Sequence, residues 1–162
     1  MAYISELEKV LDQELAVYRE LLALAQRKNQ ALIDKRMQDV RDLQTSEARL
    51  IDQVAQLEPQ RQALVRKLCS SCGLDAGNGY VTQLVAQLGA AGQPLQVRAA
   101  ALRAVIEELQ GVNAANAQCI RENVACLQGA LDAIRVASVA RENYDASGDR
   151  PNSRPLVIDG QV

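Results

Sequence analysis

Cysteine carries the only conspicuous chemistry in this chain, because histidine is absent altogether. Cys69-Ser70-Ser71-Cys72 has the spacing of a redox pair or of half a zinc site. The missing half would have to be Cys119 and Cys126. Seven residues apart on a helix, their α-carbons stand about 10.5 Å from each other. Two ligands of one tetrahedral zinc must both bring sulfur to about 2.3 Å from the ion, which that separation disfavours. A disulfide between them is also ruled out, since its α-carbons must lie within about 7 Å. A redox C-x-x-C opens a helix after a strand, whereas this one closes a helix. The four cysteines therefore read as small apolar packing residues and reduced thiols, with no metal and no cofactor.

General acid–base chemistry near neutral pH lacks its usual side chain without histidine. No glycine-rich turn follows a strand, so a nucleotide cradle is unsupported, and "GLDAGNG" fits no calcium loop. Glu107 and Glu108 are adjacent and diverge around a helix. No catalytic residue is assigned, and the chain is not read as an enzyme.

A second oddity is "LQGVNAANAQCIREN", Leu109 to Asn123. Asparagine competes for backbone hydrogen bonds and is a mediocre helix former. Yet Asn113, Asn116 and Asn123 fall on an apolar stripe with Leu102, Ile106, Leu109, Ile120, Leu127, Ala130 and Ile134. From Leu109 to Ile120 there is no charged residue. Two readings stand side by side. Buried asparagines can fix register within a bundle at some loss of stability. Alternatively, amides keep a half-apolar surface soluble until an amphipathic partner helix docks on it.

The elements that would position these residues are helices. The chain has 162 residues, 48% of them hydrophobic, yet neither Phe nor Trp and only four tyrosines, Tyr3, Tyr18, Tyr80 and Tyr144. A compact core draws heavily on aromatics, so Leu, Ala and Val suit long helices side by side instead. Ile4, Leu7, Leu11, Tyr18, Leu21, Ala25 and Leu32 make a heptad seam interrupted by Glu14 and Lys28. A second seam, Val40, Leu43, Leu50, Val54, Leu57, Leu64 and Leu68, is out of phase by one. That slip predicts a chain reversal near Asp34–Lys35, with Asp34 as N-cap of the second helix, the alternative being a continuous helix with a register defect. Pro59 lies inside the second seam, which continues through it, so a kink is expected rather than a stop.

"CSSCGLDAGNG" breaks the pattern, "YVTQLVAQLG" predicts a short helix, and Pro94 opens a long one reaching about residue 140. That last helix would measure roughly 70 Å if unbroken. The expected fold is all-α: an antiparallel helical bundle or coiled coil of three long helices plus one short helix, over 1–140. Residues 141–162, with two prolines and mixed charge, are expected to be a flexible tail. The acidic N-terminal stretch lacks the basic region of a signal peptide, no run approaches 18 apolar residues, and net charge is −2. These predict a cytoplasmic location, no membrane insertion and no nucleic acid. Short connections favour packing within one chain, hence a monomer when free.

In this order the motifs resemble those of the FlgN family, flagellar type III export chaperones for the hook–filament junction proteins. Val112-Asn113-x-x-Asn116 followed by Ile120 is similar to that family's L-N-x-x-N, with Val for Leu. Tyr144-Asp145-Ala146-Ser147-Gly148 is similar to its Y-G-x-x-G, with Asp145 for the first glycine. Ala31-Leu32-Ile33-Asp34 at the reversal and Leu57-Glu58-Pro59-Gln60-Arg61 are similar to elements of its N-terminal half. The resemblance covers most of the chain, and the cysteines have no counterpart in it. It implies a chaperone that binds the helical C-terminal ends of junction proteins, prevents their polymerisation and delivers them to the cytoplasmic domain of the export gate. It also implies that the amphipathic helix at about 94–140 binds cargo, through Leu109, Val112, Asn113, Asn116, Ile120, Asn123, Val124, Leu127, Leu131 and Ile134. Tyr144 takes the place of the family's gate-docking tyrosine. The competing readings are a self-associating coiled-coil scaffold or adaptor, and a thiol or zinc regulator built on Cys69 and Cys72.

Overall fold

The computed structural model describes the backbone of residues 2–73 and 80–145, and the side chains of 2–73 and 84–139. Every regular element among them is helical: α1 (Ala2–Ile33), α2 (Met37–Ser71), α3 (Tyr80–Leu88), a 3-10 turn (Gly89–Gly92) and α4 (Gln93–Asp145). The chain divides into two compact units, 1–120 and 121–162, and α4 contributes residues to both.

In the first unit α1 and α2 form an antiparallel hairpin. Its seam is built of leucines and valines at heptad spacing, and the interruptions are resolved by pairing. Arg61 Nε donates to Glu14 Oε1 at 3.0 Å. Lys28 Nζ donates to both carboxylate oxygens of Glu47, at 2.8 and 2.6 Å. The two ion pairs lie two heptads apart on each helix, so they state one register. Charges at seam positions thus meet charges and leucines meet leucines, which is what holds the hairpin from sliding.

The reversal is tighter than the sequence suggests and uses different residues. Lys35 N donates to Leu32 O at 3.2 Å and Arg36 N to Ala31 O at 2.8 Å, with Lys35 at φ 57°. That double bond pattern with a left-handed residue is a Schellman motif ending α1. Asp34 is therefore the C-cap of α1, not an N-cap. The preceding position of α2 is Arg36, which makes no side-chain capping bond. Asp34 instead accepts from Gln30 at 2.9 Å and from Arg36 at 3.2 Å. α2 runs on through Pro59 to Ser71.

α3 returns at the end of the hairpin where the chain began. Leu84 joins Leu7, Val10, Leu11, Leu15, Leu64, Leu68, Cys69, Leu95 and Leu102 in the main core cluster. The step from α3 to α4 turns on Gly92. A β-carbon there would stand 2.9 Å from Val85 O and 3.1 Å from Leu88 Cβ, so any side chain would collide with the helix behind it. Within this unit α4 runs the same way as α1. Arg98 reaches Asp12 at 2.8 Å near the start, Gln26 reaches Glu108 at 3.4 Å further on, and Asn116 meets Ala25 at 3.0 Å. A smaller cluster of Ala31, Leu32, Val40 and Leu43 closes the turn end, with Leu24 and Cys119 packed against it.

In the second unit, α4 extends to Asp145, five residues past the expected end near 140. Arg141-Glu142-Asn143-Tyr144 contains neither glycine nor proline, so nothing in it stops a helix. The rest of the expected tail, 146–162, lies outside the described residues.

Candidate functional surface

The cysteines belong to the framework. Cys69 is wholly buried among leucines, and Cys72 packs beside it as the C-cap of α2. Burial first and the neighbouring Cys72 second push the Cys69 thiol above its ordinary pKa, opposite to a nucleophile's requirement. Cys119 is half-buried at the turn end and Cys126 is exposed. Among the described residues no three His, Cys, Asp or Glu side chains gather where they could hold a metal ion.

Among the described residues Glu14 is the one deeply buried carboxylate, 2% exposed. Desolvation raises its pKa above the ordinary value, and the Arg61 guanidinium offsets part of that. Its second oxygen stands 3.0 Å from the same Arg61 Nε but has no hydrogen bond of its own among the described residues. The charge of Glu58, on the far side of the same guanidinium, adds a smaller upward push to that pKa, and the place of Glu14 is the seam. Desolvation also raises the pKa of Tyr18, one turn on, with the Glu14 charge adding to it. A cavity of about 430 Å³ between the four helices of the first unit is lined by Leu7, Leu11, Val65, Leu84, Leu95 and Leu102 among others. Its charged lining is Arg61, Arg103 and Glu107. It offers apolar shelter and no reacting group.

The ten residues expected to hold cargo separate by burial. In the first unit Leu109 and Val112 are half-buried and Asn113 is exposed. Asn116 is 3% exposed, and its Nδ2 donates to the Ala25 carbonyl at 3.0 Å. Ala25 is itself wholly buried, and its small side chain lets α4 come that close to the α1 backbone. The Asn116 amide is therefore spent on α1, the first of the two roles the sequence allowed. Ile120 ends this unit 40% exposed.

In the second unit Asn123 is half-buried, while Val124, Leu127, Leu131 and Ile134 are 47, 65, 45 and 62% exposed. Their spacing of three, four and three residues places all four on one face of α4. A helix normally turns such a face inward. Among the described residues all four stay at least 45% exposed. Tyr144 sits in the last turn of α4, with its side chain outside the described residues. Among the described residues no helix is long and apolar enough to cross a membrane.

No curated protein and no solved structure matches the chain. The family model described as FlgN protein matches residues 1–152.

Proposed function

Because the chain belongs to the FlgN family of flagellar export chaperones, we propose that it captures the C-terminal helices of hook–filament junction proteins in the cytoplasm. It holds them unpolymerised and delivers them to the cytoplasmic domain of the export gate. The observation that carries this reading is the apolar face Val124, Leu127, Leu131 and Ile134, left open on a helix otherwise supplied with polar residues. An amphipathic cargo helix laid along that face would bury both stripes at once. Binding work of this kind requires no catalytic group and no cofactor.

Of the other expected contacts, Asn123 lies at the start of the stripe in the second unit, while Leu109, Val112, Asn113 and Ile120 keep part of their surface exposed in the first. Asn116 serves the site indirectly, by tying α4 to α1. Tyr144 remains the proposed anchor for the gate, acting only when cargo is loaded.

Size-exclusion chromatography with light scattering tests the reading, on the full chain alone and mixed with the C-terminal helical regions of the two junction proteins. A free monomer that forms a stable complex supports it. A monomer that ignores both regions, or a self-assembly, returns the chain to the scaffold class.

A further inference from the structure

The exposed face of α4 has two unlike borders. On one side stand Asn123, Ala130 and Ala137, small and uncharged. On the other stand Arg121, Gln128 and Arg135, with Arg135 80% exposed at its side chain. Within residues 121–139 the acidic residues, Glu122 and Asp132, lie further round the helix than the arginine border. Arg135 touches Asp132 at 3.8 Å in an exposed pair three residues apart. Such a pair contributes little and yields readily to a better-placed carboxylate. Ser138, whose hydroxyl turns back to the Arg135 carbonyl at 2.8 Å, ends the stripe after Ile134.

This asymmetry bears on what can cover the face. In a helix pair, residues bordering the apolar seam set partner choice and orientation by charge. A second copy of the same face is a poor occupant. Within residues 121–139, antiparallel pairing would set the arginine border against itself, and parallel pairing would set it against alanines, with no carboxylate on either. We propose that the face selects a partner helix bearing acidic residues along one border of its own apolar stripe. Those acids lie beside Arg121 and Arg135, and the opposite border closes down over Ala130 and Ala137. The inference deepens the chaperone reading and rests on it for the identity of the cargo, but its chemistry stands on this segment alone. Arg121 and Arg135 are then specificity residues, and Val124, Leu127, Leu131 and Ile134 supply the adhesion.

The test uses the full chain and two synthetic amphipathic peptides of three heptads, identical except for glutamate or lysine at the positions bordering a leucine stripe. Titration at low salt should show the glutamate peptide binding about ten-fold more tightly, the sum of two exposed charge pairs. Raising the salt should shrink that preference. The double variant Arg121→Gln with Arg135→Gln should lose the preference yet keep the apolar part of the affinity. Leu127→Asp should lose binding of both peptides. Equal binding of the two, preference for lysine, or binding of neither overturns the proposal. Junction-protein helices that bind with no sensitivity to the two arginines overturn it while leaving the chaperone reading intact. A glutamate preference without any junction-protein complex does the reverse.

Discussion

Glu14 and Arg61, forty-seven positions apart in sequence, meet with Nε 3.0 Å from Oε1 at the centre of the α1–α2 seam. Both stand where a heptad calls for leucine. The carboxylate is buried while the guanidinium keeps about a third of its surface in solvent, so the carboxylate bears most of the desolvation.

A pH dependence follows. Folding raises the Glu14 pKa above its ordinary 4.5, so the folded chain holds this proton more tightly than the unfolded one. The associated stability is fully present below the unfolded value and is lost as pH rises through the folded one. Glu14→Gln, which mimics the protonated form, should equal or exceed the natural chain in stability at neutral pH. The difference should vanish as pH falls to 4.5 and below. Urea midpoints of the two proteins across that range measure it.

Lys28 and Glu47 test the second pair, with side chains only 12 and 13% exposed. Glu47→Leu alone leaves a shielded ammonium without its partner and should cost about 3 kcal/mol. Replacing both residues with leucine should restore stability to the natural level or above. Chemical denaturation of Glu47→Leu, of Lys28→Leu and of the double variant checks the sign.

Asn116 and Asn113 should behave differently despite sharing a motif. Asn116→Ala removes a buried hydrogen bond to α1 and should destabilise the protein by about 1 kcal/mol. Asn113→Ala, on an exposed position, should stay within about 0.5 kcal/mol of the natural chain. Thermal or urea unfolding distinguishes them.

Backbone geometry gives two opposite expectations. Lys35 is held in the left-handed region, so Lys35→Gly should raise stability by up to about 1 kcal/mol. Gly92→Ala forces a β-carbon against the Val85 carbonyl and should lower it by about 1–3 kcal/mol. Melting temperatures of the two variants should move in opposite directions.

Much of the first unit was legible in the heptads, because leucine spacing alone sets which faces of α1 and α2 meet. The interruptions at Glu14 and Lys28 were visible too. Their partners Arg61 and Glu47 fill the matching gaps of the second seam with opposite charge. Pairing the gaps would have given the hairpin register directly. Asp34 misled because it is a good N-cap by type, whereas the turn is decided by backbone bonds to Ala31 and Leu32, to which a left-handed lysine is an unfavourable guide. The asparagines of α4 were ambiguous in principle. Whether an amide is buried depends on what stands opposite, and Ala25 lies ninety-one positions earlier.

The three-residue reversal between α1 and α2 also bears on how the chain assembles. Seam partners near the turn, such as Leu32 and Val40, are separated by few residues, so the loop entropy of first contact is small and zippering can proceed outward from the turn. The hairpin is complete in the first 71 residues. During synthesis it can form before most of α4 has been made. The adhesive stripe is therefore made after a hairpin whose own leucines are already matched to one another and cannot compete for it.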